Sequence, residues 1–117
     1  MKDYKNFTVW QKSHQLTLDV YATLQYFPKD EMFGLVSQMK RSSSSIPTNI
    51  AEGCGRNSDK DFARFLIIAF GSANELEYQF ILSKDLKFIE VEKANLLLLQ
   101  IEEIKKMLNS LISKLNK

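Results

Sequence analysis

An all-α fold, an antiparallel up-and-down four-helix bundle, is what this 117-residue sequence predicts, on three observations. Glycine and proline are scarce, four and two residues, and the breaks they offer cluster at Pro28, Gly34, Pro47, Gly53 and Gly55. Between those breaks apolar residues recur every three or four positions, and no stretch alternates as a strand would. The last segment carries the clearest period: Ala94, Leu97, Ile101, Ile104, Leu108, Leu111 and Leu115 alternate by three and four throughout. That is the seam of near-parallel helix packing in bundles and coiled coils. Residues 1–117 read as one domain, near the commonest domain size and long enough for a single core.

The first helix is expected to open at Thr8, with Gln11 completing a capping box. Val9, Ser13, Leu16, Val20, Leu24 and Phe27 mark its buried face, and Phe27-Pro28 ends it, because proline forces its predecessor out of the helical region. The second runs from about Asp30 to Ala51 or Glu52, where Gly53 is expected to supply a left-handed cap. It contains four serines and Pro47. An interior proline costs roughly 3 kcal/mol, yet the spacing continues through it, so the expectation is a proline-kinked helix held by packing.

The third and fourth helices are long. Helix three starts at Asn57 or Ser58, with Asp59 and Asp61 in its first turn, and reaches about Leu86. Helix four runs from Glu90 or Glu92 to Lys114 or Lys117. Acidic starts and basic ends suit the helix dipole. Along helix three, Phe62, Phe65, Leu66, Ala69, Ala73, Leu76 and Phe80 can serve the core. Ile67, Ile68, Phe70, Tyr78 and Ile81 spread apolar surface around other faces, which is the mark of an oligomer interface unless helix-four side chains cover them.

Composition is ordinary for a soluble globular protein: 44% hydrophobic, 26% charged, net charge +2. Near-balance argues against a generally basic nucleic-acid coat, so any such contact needs a local patch. The start lacks an apolar signal-peptide core, no run is long enough to span a bilayer, and Cys54 is the only cysteine; these imply a cytoplasmic protein without membrane contact.

Chemistry is sparse. Di-iron bundles need paired Glu-x-x-His motifs, and the single histidine, His14, has Gln11 three residues before it. One His and one Cys make a zinc site within one chain improbable. The Ser42–Ser45 run has no partner base, and Gly53-Cys-Gly55 lacks the lysine of a phosphate loop. The expectation is no catalytic residue, no metal, no cofactor and no enzyme.

The candidate site is a polar stripe on helix two. Gln38, Arg41, Ser45, Asn49, Glu52 and Arg56 step by three or four residues and share a face. Gly71 and Ser72 thin helix three just before Glu75, so a neighbouring helix can come close and a buried Arg41–Glu75 pair could fix register. Lys40, Arg41, Arg56, Lys60 and Arg64 are the candidate nucleic-acid contacts, against the alternative of solvated helix ends.

The order Pro28…Glu31…Gly34-Leu35…Gln38…Arg41…Ser45-Ile46-Pro47…Asn49-Ile50-Ala51-Glu52-Gly53…Arg56…Gly71-Ser72…Glu75 resembles the four-helix bundle proteins encoded in intervening sequences of bacterial 23S rRNA genes. That family in turn resembles the accessory variability determinant of diversity-generating retroelements. The resemblance implies a ring-like homopentamer and, for the retroelement branch, a basic surface that binds nucleic acid and a partner reverse transcriptase. Two readings follow: a non-catalytic homo-oligomeric adaptor for structured RNA or a nucleoprotein, or a protein–protein scaffold with no nucleic-acid role.

Overall fold

A computed structural model describes residues 2–117. Its helices are α1 (Thr8–Leu24), α2 (Leu35–Cys54), α3 (Asp59–Asp85) and α4 (Val91–Leu115), with short 3₁₀ turns at Tyr4–Asn6 and Lys29–Glu31. Each helix packs on the next and α4 closes on α1, an antiparallel four-helix bundle measuring 43 × 23 × 19 Å. Among the described residues no helix is long and apolar enough to cross a membrane.

The predicted faces are the buried ones. Val9, Ser13, Leu16, Val20, Leu24 and Phe27 of the first segment are buried, as are Ala94, Leu97, Ile101, Ile104 and Leu108 of α4. They meet Met39, Ile46 and Ile50 of α2 and Leu66, Leu76 and Phe80 of α3 in one continuous core.

The start of α1 differs from the expected capping box. Phe7 occupies the cap without a side-chain hydrogen bond. The Tyr4–Asn6 turn brings the Lys5 carbonyl over the helix start, where the Gln11 Nε2 group donates to it at 2.8 Å. Helix α2 begins at Leu35 rather than near Asp30, because Gly34, at φ −108° and ψ −108°, leaves the helical region.

Two features of α2 change the reading of its sequence. The helix runs without interruption through Pro47. Proline has no N–H to give the Ser43 carbonyl. Thr17 on α1 supplies the missing donor: its hydroxyl lies 2.9 Å from the Ser43 carbonyl oxygen and 2.9 Å from that of Ser13. The tertiary contact thus replaces a rung of the helix.

Gly53 does not cap α2 in a left-handed conformation; it is buried inside the helix, and no glycine has positive φ. A Cβ there would meet Phe62 Cδ1 at 2.8 Å and Phe65 Cβ at 3.0 Å. The glycine therefore serves close approach of α2 to the start of α3. Cys54 is buried beside it.

Helix α3 begins as expected, with Ser58 Oγ accepting from the Asp61 amide at 3.1 Å. Its far end carries, at Lys87, the one positive φ among the described residues, 64°. Phe88 N–H bonds the Ser83 carbonyl at 2.9 Å and Lys87 N–H that of Lys84 at 3.0 Å, a Schellman closure with lysine where glycine is usual.

Candidate functional site

The polar stripe of α2 lies along its contact with α3, where Ser45 of the stripe and Ser42 beside it bond across to that helix. At its buried edge, Ser42 Oγ donates to Gln79 Oε1 at 2.6 Å, and Ser83 Oγ donates to the Gln79 carbonyl at 2.7 Å. One step outward, Ser45 Oγ and Ser72 Oγ are 2.8 Å apart, and Asn49 Nδ2 donates to Ser45 Oγ at 2.9 Å. The serines allow the helices to approach and satisfy each other's hydroxyls there; no buried side-chain polar atom among the described residues is left without a partner.

Outside this network the stripe opens into a shallow cleft of about 450 Å³ lined by Gln38, Arg41, Ser45, Ser72 and Glu75 among others. The expected buried Arg41–Glu75 pair does not form. Both residues are exposed, and no ion pair within 4.0 Å joins them. Register between α2 and α3 is set by the Ser42–Gln79 and Ser45–Ser72 contacts instead, whose short neutral groups lose less hydration on burial than two charges would.

The five basic candidates do not share one rim. Lys40 lies over the Tyr21 ring, 5.2 Å from its centroid, on the α1 side of α2. Arg41, on the α3 side, lies about 20 Å along α2 from its last residue, Cys54, and Arg56 is in the turn beyond. Arg56, Lys60 and Arg64 do gather around the α2–α3 turn. The Arg56 and Arg64 guanidinium groups sit 4.5 and 5.3 Å from the centroid of the same Phe65 ring, two cation–π contacts to one side chain. Each also has a carboxylate: Glu52 is 3.2 Å from Arg56, and Asp61 is 3.7 Å from Arg64.

Sequence reasoning missed other cations at this end. The Lys2 amide bonds the Cys54 carbonyl at 3.4 Å, and its ammonium lies 5.6 Å from the Phe62 ring centroid. Lys106 and Lys114 of α4 border a groove shared with Phe7 and Thr8 at the start of α1. The antiparallel topology itself places both chain termini beside the α2–α3 turn, and that signal was available in the sequence.

On α3, Ile67, Ile68, Tyr78 and Ile81 are exposed at 52, 46, 60 and 41%. Helix α4 leaves them uncovered. Phe70 is the exception: it is half-buried, with the Lys105 ammonium 5.6 Å from its ring centroid and 3.3 Å from Glu77. Gly71 does not serve the α2 contact expected of it. A Cβ there would meet nothing within 4 Å, so an interior helical glycine costing about 1 kcal/mol relative to alanine has no packing reason within one copy. A second apolar surface, unforeseen in the sequence, lies at the opposite end, where Tyr26 is 86% and Phe33 94% exposed.

The single histidine stacks on Trp10 at 5.1 Å between centroids. Burial pushes the Cys54 thiol up from its ordinary range, the reverse of what a nucleophilic thiolate needs. Among the described residues no three His, Cys, Asp or Glu side chains converge as metal ligands would.

These features define a class: a four-helix bundle whose α2 serines bond across to α3 and whose α3 carries an uncovered apolar face. The comparisons with known proteins give the family. The family model described as 23S rRNA-intervening sequence protein matches residues 5–110, and the chain belongs to that family. Among solved structures it is similar to a protein of unknown function from the S23 ribosomal protein family of Bacteroides thetaiotaomicron VPI-5482. The two share 31% identity at a TM-score of 0.81, over 90% of this chain and 98% of that one. No curated protein matches the chain.

Proposed function

We propose that this protein is a non-catalytic adaptor that associates with copies of itself through α3 and presents a basic bundle end to structured RNA. The observation that carries the reading is the outward face of α3, where Ile67, Ile68 and Tyr78 stay 46–60% exposed around Gly71. A contiguous apolar face on a small soluble bundle is the usual sign of a protein interface. Association also concentrates charge: each copy adds its net +2, and the arginines at the α2–α3 turn become a repeated field. The family description ties these proteins to 23S rRNA, which makes structured RNA the first polyanion to test.

A scaffold that contacts only protein is the second reading. It is favoured by the carboxylates already beside Arg56 and Arg64, which reduce the charge those residues offer to phosphate.

Fluorescence anisotropy with a labelled 23S rRNA hairpin, at low and near-physiological salt, separates the two. The adaptor reading expects tight binding with a steep salt slope. It also expects loss of binding in Arg56→Ala/Arg64→Ala with little change in Lys40→Ala. Absence of binding at low salt leaves the scaffold. Self-association is tested by light scattering on Ile68→Glu, which is expected to lower the mass while the circular-dichroism spectrum stays helical. An unchanged mass would place the interface elsewhere.

A further inference from the structure

A groove between α1 and α2 stands apart from the apolar face of α3, and no α3 residue lines it. It holds about 620 Å³, within the range of small-ligand sites of roughly 300–1,000 Å³. Its floor is one ridge of α2: Ser44, Thr48, Ala51 and Gly55 step by four, three and four residues, and none carries a long side chain. Its wall is aromatic. Trp10 and His14, one helical turn apart on α1, stack with an interplanar angle of 7°, and Tyr4 stands edge-on to Trp10 at 5.0 Å. His14 is exposed, so the stack ends on an open ring face.

The polar lining and the neighbouring charges narrow the occupant. Thr17 and Ser44 give their hydroxyl protons to main-chain carbonyls, of Ser13 and Ser43 and of Lys40 and Arg41. What they turn to the groove is therefore lone pairs, and the Glu52 carboxylate adds further acceptors. A flat ring with N–H groups on its edge suits both the aromatic wall and these acceptors. The Lys5 ammonium lies 5.7 Å from the Tyr4 ring centroid, and Arg56 bonds Glu52 at 3.2 Å. Lys5, Arg56 and Glu52 together leave a net positive charge beside the groove. That charge favours a phosphate and disfavours a guanidinium or ammonium guest.

We propose that this groove takes an unpaired nucleobase of RNA, its ring stacked on the Trp10–His14 pair and its phosphate beside Lys5 and Arg56. This rests on the RNA reading above and adds to it a preference for unpaired nucleotides. A base inside a duplex has no free face to stack on an aromatic side chain, whereas a splayed-out loop base has one.

Trp10 is the only tryptophan, so its fluorescence reports this groove. The test titrates the full chain with two RNAs of equal length, a 23S rRNA hairpin with an unpaired loop and a fully paired duplex. The hairpin is expected to quench Trp10 emission saturably, and the duplex to leave it unchanged. By anisotropy of the labelled RNAs, His14→Ala and Tyr4→Ala are each expected to weaken hairpin binding about tenfold and duplex binding hardly at all. Lost stability would weaken both alike, and circular dichroism checks that each variant stays helical. If the hairpin binds with Trp10 emission unchanged, or the variants weaken hairpin and duplex equally, the base site is wrong and the RNA reading stands on the basic end. If an arginine-rich peptide quenches Trp10 and the hairpin does not, the groove belongs to a basic protein segment instead. If neither RNA binds at low salt, the RNA reading falls and the base site with it.

Discussion

Replacing Thr17 by valine tests how α2 survives its internal proline. The substitution keeps the shape of the side chain and removes the hydroxyl that donates to the Ser43 carbonyl at 2.9 Å. Ser43 is fully buried, so that oxygen loses its partner in a site with little access to water. Leaving a buried acceptor unsatisfied costs about 1–3 kcal/mol. Thr17 itself is only part-buried and shares its proton with the Ser13 carbonyl, which argues for the lower half of that range. The expected loss is about 1–2 kcal/mol, a fall in Tm of about 4–8 °C for a domain of this size. Urea and thermal unfolding followed by circular dichroism measure it. The decisive comparison is a double-mutant cycle with Pro47→Ala. Alanine restores an N–H that can bond the Ser43 carbonyl within the helix, so Thr17→Val should then be close to neutral. The packing lost with the proline ring appears in both arms and cancels. A coupling near 1 kcal/mol is expected. Equal losses in both backgrounds, or no loss in either, would refute the idea that Thr17 replaces the missing rung.

Other substitutions probe separate contacts. Gly53→Ala is expected to destabilise by about 1–2 kcal/mol, because overpacking against Phe62 and Phe65 exceeds the gain in helix propensity; denaturant midpoints would show it, and a stabilised variant would contradict the close packing. Lys87→Gly is expected to stabilise by about 1 kcal/mol, since φ 64° carries a steric penalty that glycine lacks, and calorimetry checks the sign. The Cys54 thiol has a folded pKa raised by burial, so the folded state holds that proton more tightly than the unfolded chain. Its contribution is therefore complete below the unfolded thiol pKa and is lost as pH rises through the folded one. Stability should fall with alkaline pH and fall less in Cys54→Ala; parallel curves for the two proteins would show that another group is responsible.

Much of this bundle is legible before any coordinates. The heptad of α4 and the three-and-four spacing of α1 name their buried faces, since burial of an apolar stripe is set by helical period alone. Ser58 with Asp61 marks the start of α3 because a cap is a contact between residues three apart. The apolar second face of α3 is readable for the same reason: a helix that is hydrophobic on two sides declares it in its period. What misled were residues whose role depends on a distant neighbour. Gly53 looks like a stop signal, yet its lack of a Cβ admits Phe62 from the next helix. Gly71 looks like a close-contact residue for α2, yet it faces outward. Arg41 and Glu75 share a stripe pattern without sharing a bond, because exposed charges keep their hydration. The local sequence thus determined which segments are helices and which of their faces are apolar, both consequences of backbone geometry and of water's exclusion from nonpolar surface. Only the tertiary structure decided that Thr17 completes α2 and that paired serines, rather than an ion pair, set its register on α3. Each of these depends on which side chains the packed helices bring within hydrogen-bond or ring-contact distance across more than twenty residues of chain.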